Sequence, residues 1–231
     1  MPPLAIQAQI AYSVRPSPRA RRVRVTVDPS RGVEVVLPRR VFDRGAGARE
    51  REAAAAIQEL RPWIERRVAE LERARQAVAA RGDTVPYLGE TLRLVVQPGR
   101  TRAHRRRLEL LVPGGEQQLP AIERFYRRAA HQEIAVRLDR ACAQVGAAYS
   151  RLEIRGQRTR WASCSRTGAM SFNWRLLLAP EPVLDYVVWH EVCHLEVMDH
   201  SPRFWALVGN RCPSYREHVR WLRRHGATLV L

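Results

Sequence analysis

The sequence contains no lysine, so all 40 of its basic residues are arginine, set against 23 acidic residues for a formal charge of +17. It also contains no run that approaches the roughly 20 consecutive apolar residues needed to cross a bilayer. Residues 1–14 have neither the basic segment nor the cleavage site of a signal peptide. We therefore expect a cytoplasmic protein with no membrane-spanning helix.

Cysteine is scarce as well. Cys142, Cys164, Cys193 and Cys212 lie far apart and form no CxxC pair, which argues against a disulfide framework and against a four-cysteine zinc site. The apolar fraction of 45% is ordinary for a folded protein. A length of 231 residues is enough for one large domain or for two small ones.

The first part of the chain predicts a hairpin followed by helices. Valines alternate with polar residues over 23–27, a turn signal follows at Asp28–Gly32, and Val33–Leu37 is apolar, so we expect a β-hairpin. Residues 49–80 have a helical pattern, and Pro62 within it predicts two helices or a kink.

The rest of the chain predicts an α+β organisation. Apolar runs at 85–88, 92–96 and 108–112 indicate a small antiparallel sheet, with a basic loop at 100–107. Helices are expected at 119–148, 181–198, 201–209 and 214–225, and strands at 150–154, 159–163 and 169–174. The fold class is therefore α+β, with a β-rich N-terminal half (about 15–115) and a C-terminal half (about 119–225).

The most informative segment is His190-Glu191-Val192-Cys193-His194. Positions i and i+4 share one face of a helix, so His190 and His194 can bind one metal ion. Glu191 can then point toward a water on that ion without being a ligand, as a general base requires. His200 offers a third nitrogen ligand. Zinc held in this way lowers the pKa of its water from about 15.7 to about 7.

The pentapeptide alone leaves two interpretations open, because two histidines at this spacing also occur in cores and on surfaces without a metal. Three features favour the metal site. His200 is available, the sequence before His190 is apolar enough for a buried helix, and a strand is predicted nearby at Ala169–Trp174. Such a strand is the usual neighbour of a protease cleft.

Several longer segments carry a family resemblance. They read Arg160-Trp161-Ala162-Ser163-Cys164-Ser165, Phe172-Asn173-Trp174-Arg175-Leu176, Asp185-Tyr186-Val187-Val188-Trp189-His190-Glu191 and His200-Ser201-Pro202-Arg203-Phe204-Trp205. In these segments the chain resembles the YgjP-like zinc metallopeptidases, which are similar to SprT-like and WLM-type proteases of the gluzincin type. The Arg-rich first hairpin and Arg61-Pro62-Trp63-Ile64 also match, so the resemblance covers nearly the whole chain.

The resemblance implies a metallopeptidase domain over 15–225 with a zincin-like C-terminal half that contains the HExxH helix. It implies His190, His194 and His200 as zinc ligands and Glu191 as the catalytic base. It also implies a strand near Phe172 that flanks the cleft.

Two positions depart from related patterns. The family usually reads RWGSCS, whereas this chain has Ala162, whose methyl group narrows a close backbone approach. The spacing from His194 to His200 also matches metzincins, but Val197 stands where those proteins have glycine. A β-branched residue resists a positive φ, so we expect the YgjP-like arrangement rather than a metzincin turn.

Further residues are candidates for smaller roles. A peptide substrate is expected to add as an extended strand beside the edge of Ala169–Trp174, with Phe172 and Asn173 as substrate-binding residues. Tyr215 and Arg160 are candidates for stabilising the oxyanion of a tetrahedral intermediate. The remaining histidines are expected at the surface: His104, His131, His218 and His225. Phe204 and Trp205 are expected in the core.

Two classes of function fit the sequence. The first is a zinc-dependent peptidase that cuts intracellular proteins. The second is a nucleic-acid-binding protein with a structural zinc site and a working surface of arginines at 19–24, 100–107 and 220–224. A DNA-associated protease of SprT-like type would combine both. Glu191 favours an enzyme, because structural zinc sites usually close with a fourth protein ligand and need no acid beside the metal. The substrate and the oligomeric state stay open.

Overall fold

The computed structural model describes residues 10–28, 31–157 and 160–231. The chain divides into two compact units, Met1–Arg75 and Gln76–Leu231, and each unit has its own apolar core. The mixed α+β class is confirmed. The predicted halves of one metallopeptidase domain, about 15–115 and 119–225, stay a prediction.

The first unit contains a three-stranded sheet in the order β1-β3-β2. Its strands are β1 (Tyr12–Ser17), β2 (Arg24–Asp28) and β3 (Gly32–Pro38). β2 and β3 pair antiparallel, which confirms the predicted hairpin. β1 pairs parallel to β3 and was not predicted, because its sequence YSVRPS has no sustained apolar alternation.

Helices complete the first unit. They are α1 (Arg39–Phe42), α2 (Ala46–Glu59) and the first residues of α3 (Arg61–Arg81). The break at Leu60 confirms the predicted division of this segment into two helices, and Pro62 is the second residue of α3, where its missing N–H leaves no helical hydrogen bond unmade. Ile57 and Ile64 pack against Val35 in the buried core of the unit.

The second unit begins with a four-stranded sheet in the order β4-β5-β7-β6. Its strands are β4 (Thr84–Tyr87), β5 (Glu90–Val96), β6 (His104–Arg106) and β7 (Glu109–Val112). Two expectations were wrong here. The region 100–107 contains β6 and is not a loop throughout, and the sheet is mixed, because β5 and β7 pair in parallel once β6 forms a hairpin with β7.

A long helix and a three-stranded sheet follow. α4 (Gln118–Val145) ends at Gly146, which adopts a φ of 65°. The strands are β8 (Arg151–Arg155), β9 (Ala162–Cys164) and β10 (Ala169–Asn173). Their order is β8-β10-β9, so β10 is the central strand, parallel to β8 and antiparallel to β9.

The chain then forms α5 (Glu181–Cys193), α6 (Pro202–Arg211) and α7 (Tyr215–His225). α5 is shorter than the predicted helix over 181–198. The chain leaves the helix at His194, whose N–H donates to the Glu191 carbonyl at 3.2 Å, and the next amide, Leu195, donates to the Val192 carbonyl at 3.0 Å. These tight turns end the helix and allow the chain to fold back toward it.

Parts of three predicted features lie outside the described residues. These are the turn at Asp28–Gly32, which includes residues 29 and 30, the strand at 159–163, which begins at residue 159, and most of the segment 1–14. Across the described ranges, no helix combines the length and the apolar character that a membrane span requires.

An arginine holds α5 against α4. Arg137 of α4 donates from Nε to Asp185 of α5 at 2.9 Å, and its other nitrogens bond Glu181 of α5 and Glu133 of α4. The Arg137 side chain is only 13% exposed. Three carboxylates therefore share one partly buried guanidinium. Two of them belong to the first half of α5, so the guanidinium holds that part of the helix against α4.

We expect Arg137→Gln to destabilise the protein by about 1–3 kcal/mol, because three carboxylates lose their shared cation and a buried site loses its hydrogen bonds. This corresponds to a Tm lower by about 3–8 °C for a chain of this size. Thermal unfolding followed by circular dichroism measures it. Arg124→Gln is the matched control, since Arg124 lies exposed on the same helix. Equal Tm values for the two variants would contradict the role given to Arg137.

Candidate metal centre and active site

Three histidines converge at the end of α5. His190 lies in its last turn, His194 directly follows the helix, and His200 lies just before α6. One ring nitrogen from each lies within 4.8 Å of the others, and Nε2 of His190 is 3.1 Å from Nε2 of His200. In a tetrahedral zinc site with bonds of about 2.0–2.1 Å, two ligand nitrogens lie about 3.3 Å apart. The donor set and its spacing therefore fit a metal ion.

Hydrogen bonding and burial prepare two of these rings for a metal. Nδ1 of His194 lies 2.9 Å from the carbonyl of Val197, and a bond donated there leaves the Nε2 lone pair for the ion. Burial, followed by the neighbouring His194 and His200, lowers the pKa of His190 to about 3. Burial also lowers the pKa of His194. Both rings are therefore neutral near pH 7, as a ligand must be.

Val197 adopts no metzincin-like turn. In the described ranges, the residues other than glycine with a positive φ are Leu88 and Arg107. The expectation that a β-branched residue would refuse a sharp turn at this position is therefore confirmed. Val197 instead contributes its carbonyl, which orients the ring of His194.

Two aromatic residues of α6 form the wall behind the histidines. Phe204 is fully buried and stacks on His194 with ring centroids 4.4 Å apart and an interplanar angle of 21°. Its ring also lies 4.9 Å from each of His190 and His200. Trp205 lies 5.8 Å from His190 and 5.7 Å from His200. Both residues were expected only as core, but their packing also fixes the rotamers of the three rings.

Glu191 is buried, with only 4% of its surface exposed. The backbone N–H of Cys164 in β9 lies close enough to the carboxylate to act on its pKa, and Oε2 has no hydrogen-bond partner among the described residues. Burial raises the pKa of Glu191 to about 8, and the Cys164 N–H opposes this rise. An unpaired buried carboxylate oxygen is costly, so this atom is available for a proton or a water. The contact with Cys164 was not predicted, because backbone atoms leave no signal in a sequence.

The two predicted substrate-binding residues are not open to a substrate. Phe172 is 1% exposed and Asn173 is 4% exposed. The Asn173 amide donates to the Gln157 carbonyl at 2.7 Å and accepts from the Arg175 N–H at 3.1 Å. Asn173 therefore caps the short 3-10 helix over Trp174–Leu178 and joins two loops. The prediction that a substrate adds beside Ala169–Trp174 was also wrong, since β10 is paired on both sides.

One edge of this sheet is formed by β9. The Asn173 N–H donates to the Trp161 carbonyl at 2.7 Å, and the Ser165 N–H donates to the Ala169 carbonyl at 2.9 Å. In an antiparallel pair, alternate residues face the partner strand. Ala162 and Cys164 therefore direct their backbone groups away from β10, and one of these groups is the Cys164 N–H that acts on the pKa of Glu191. The outer edge of β9 lies beside Glu191.

The two oxyanion candidates differ in their surroundings. Tyr215, the first residue of α7, stacks on Trp205 with centroids 5.4 Å apart, and its hydroxyl accepts from Nε of Arg216 at 3.2 Å. It therefore lies at the border of the histidine cluster. Arg160 is exposed, and no contact within the described ranges joins its side chain to the histidines.

His218 is not the solvated surface residue that was expected. It is half-buried on α7, and its ring lies 6.1 Å from that of Tyr186. The ring of Tyr186 in turn lies 5.9 Å from His190. A spacing of three or four residues from Tyr215 and Leu222 places His218 near the inner face of its helix, and this spacing could have indicated its burial.

Comparison with known proteins gives a family for the chain. The model of the YgjP-like family, metallopeptidase domain, matches residues 21–225. No curated protein matches.

Two solved structures of metallopeptidase zymogens are similar. Abylysin of Pyrococcus abyssi has a TM-score of 0.35 and 22% identity, covering 42% of this chain and 99% of that chain. Jannalysin of Methanocaldococcus jannaschii has a TM-score of 0.33 and 19% identity, covering 38% of this chain and 94% of that chain.

We expect the chain to bind one zinc ion. Each of His190→Ala, His194→Ala and His200→Ala should weaken zinc binding by at least about 100-fold, because loss of a residue that only hydrogen-bonds a metal ligand already lowers metal affinity by up to about 100-fold. Competition with a chelating indicator dye measures the affinity. Zinc should also raise the Tm of the parent protein. His131→Ala, an exposed histidine on α4, is the control. Parent-like affinity in all three variants would exclude this cluster as the zinc site.

Proposed function

The chain belongs to the YgjP-like metallopeptidase family, and from this membership we propose a zinc-dependent peptidase in which His190, His194 and His200 hold the metal and Glu191 is the general base. The observation that carries the proposal is the buried Glu191 carboxylate, with one oxygen unpaired, one residue along α5 from His190. Zinc is the metal proposed because neutral imidazoles in a tetrahedral arrangement with one open position suit it.

Bound zinc would polarise the scissile carbonyl and make an attacking water more acidic. Glu191 accepts the proton of that water at its unpaired oxygen as the water oxygen bonds to the carbonyl carbon. The same carboxyl then delivers the proton to the departing amide nitrogen, and the carbon–nitrogen bond breaks. The products are a carboxylic acid and an amine, and transfer of the remaining acid proton converts them to a carboxylate and an ammonium. Burial raises the pKa of the Glu191 carboxyl to about 8. A carboxyl in such water-poor surroundings can keep the proton it takes from the water until it passes the proton to the leaving nitrogen.

The outer edge of β9 is the proposed site for the substrate backbone. An extended peptide can pair there with the N–H and carbonyl of Ala162 and with the carbonyl of Cys164. The Cys164 N–H on this edge lies near the Glu191 carboxyl, so a peptide on this edge lies next to the base. In this proposal the substrate-binding role belongs to the backbone of Ala162 and not to Phe172 and Asn173, the residues expected from the sequence.

Tyr215 is the better supported oxyanion candidate. Its stacking on Trp205, which contacts His190 and His200, supports a position at the rim of the cleft. A phenolic hydroxyl there can donate to an oxygen that gains negative charge during the reaction. Arg160 lies just before β9 and stays a prediction.

Two observations favour an enzyme over a structural zinc site. Within the described residues, the cluster of potential metal ligands comprises the three histidines without a fourth group. A structural site usually closes with four protein ligands. A buried carboxylate without a full set of hydrogen-bond partners also lowers the stability of the fold. A purely structural zinc site would have no reason to retain such a carboxylate. The cytoplasmic location and the intracellular protein substrates belong to the proposal as well.

Glu191→Gln tests the role of the base. The change preserves the size of the side chain, so we expect folding and zinc binding to survive, whereas kcat should fall by about 10²–10⁴-fold. Release of amines from a protein substrate such as casein measures the rate. Glu196→Gln is the matched control, because Glu196 lies nearby at the surface, where it pairs with Arg203 at 3.0 Å. Unchanged cleavage by the zinc-loaded Glu191→Gln variant would refute the proposed mechanism.

Ala162→Pro tests the substrate edge. The Ala162 N–H points away from β10, so proline removes a donor to the substrate without breaking the pairing of β9 with β10. We expect a loss of about two- to tenfold in kcat/KM, expressed mainly in KM, from one lost hydrogen bond. Ala162→Val, which retains the N–H, is the control. If the proline variant has an unchanged KM and the parent fold, peptides do not bind along this edge.

A further inference from the structure

One face of α7 carries a row of exposed positive charge. Arg216, Arg220 and Arg223 recur at a spacing of four and three residues, which places them on one face of the helix, and all three are exposed. Glu217 is the one acidic residue in α7. Among the described residues, no carboxylate forms an ion pair with Arg220 or Arg223. We call these three residues the α7 arginine row.

The row begins beside the histidine cluster. Nε of Arg216 donates to the hydroxyl of Tyr215 at 3.2 Å, and Tyr215 stacks on Trp205, a neighbour of His190 and His200.

The other end of α7 reaches the start of β9. Gly226 directly follows the helix, and a Cβ at this position would lie 2.9 Å from the ring of Trp161. Trp161 immediately precedes β9. α7 therefore runs from the aromatic wall of the histidines to the strand whose outer edge lies beside Glu191, and all of these elements belong to the second unit.

We infer that the α7 arginine row binds an acidic segment of the substrate, so that the protein selects peptides rich in Asp and Glu next to the scissile bond. This inference rests on the proposed function, because that function places the peptide on β9. Exposed guanidinium groups that pair with no carboxylate among the described residues are suited to bidentate contacts with the carboxylates of a substrate. Seven residues of helix span about 10 Å, which matches about three residues of an extended chain.

Nucleic acid is the less favoured partner for this surface. Affinity for duplex DNA is usually built from about six to ten phosphate contacts, whereas the row offers three guanidinium groups. One of these three is already bonded to Tyr215. The proximity of the row to a peptide-binding edge favours carboxylates over phosphates.

Binding to full-length protein carrying Glu191→Gln, with and without zinc, tests the inference independently of catalysis. The probes are three fluorescent peptides that share one core and carry Glu, Gln or Arg flanks, followed by fluorescence anisotropy. We expect the Glu peptide to bind best. Arg220→Gln combined with Arg223→Gln should weaken it about two- to thirtyfold, the effect of two exposed ion pairs. Raised salt should also weaken it. Arg102→Gln with Arg124→Gln removes the same charge from exposed positions outside α7 and should have little effect.

The outcomes separate the inference from its alternatives. Equal affinity for the Glu and Gln peptides, or equal losses in the two double variants, would overturn it. Duplex DNA that displaces the Glu peptide and loses affinity in the Arg220/Arg223 variant would reassign the row to nucleic acid and also overturn it. Selective binding of the Glu peptide by a protein that cleaves no substrate would support the row while refuting the peptidase. Circular dichroism confirms that the variants fold.

Discussion

The transfer of the Glu191 carboxyl out of water is the constraint on which the rest of the site depends. A buried carboxylate needs nearby donors, and here the group that opposes the rise in its pKa is a backbone amide of β9. This contact ties the edge strand of the sheet to the last turn of α5. The strand therefore lies where an extended chain could meet the acid, and the acid retains one free oxygen. The same burial keeps the imidazole of His190 neutral, so one low-dielectric environment prepares a base and a metal ligand together.

The early end of α5 has an equally direct effect. A helix continued to residue 198 would have directed the following chain along its axis, away from His190. Because the helix ends at Cys193, the Val197 carbonyl reaches back to His194, and His200 comes within hydrogen-bond distance of His190. Phe204 then packs against all three rings. The geometry of the cluster thus depends on the residue at which α5 ends and on the turns between α5 and α6.

The sequence predicted the features that depend on local spacing. His190, Glu191 and His194 lie on one helix, and His200 and Phe204 come within a few residues of it, so periodicity and proximity were sufficient to suggest the cluster. Strand order was not predictable in this way. Because β10 comes directly before α5, the sequence suggests that it is an edge strand, but β9 occupies that edge and leaves β10 in the centre. In the other sheet, β6 occupies the edge in the same way, and β7 pairs in parallel with β5. Pairing between strands depends on long-range packing that alternation along one strand does not encode. Asn173 was misassigned because an amide that caps a turn has the same appearance in a sequence as one that binds a ligand.

The shortness of β9 limits how tightly its edge can hold any extended chain. The N–H and carbonyl of Ala162 and the carbonyl of Cys164 are the groups this edge offers to a peptide, because the Cys164 amide faces Glu191. Three backbone hydrogen bonds at about 0.5–1.5 kcal/mol each supply no more than about 4.5 kcal/mol, which corresponds to a dissociation constant of about 0.5 mM at best. Main-chain pairing on this strand can align a peptide but cannot retain it. Residence time, and with it the choice among proteins, is therefore set by side chains that extend beyond the three residues of the strand.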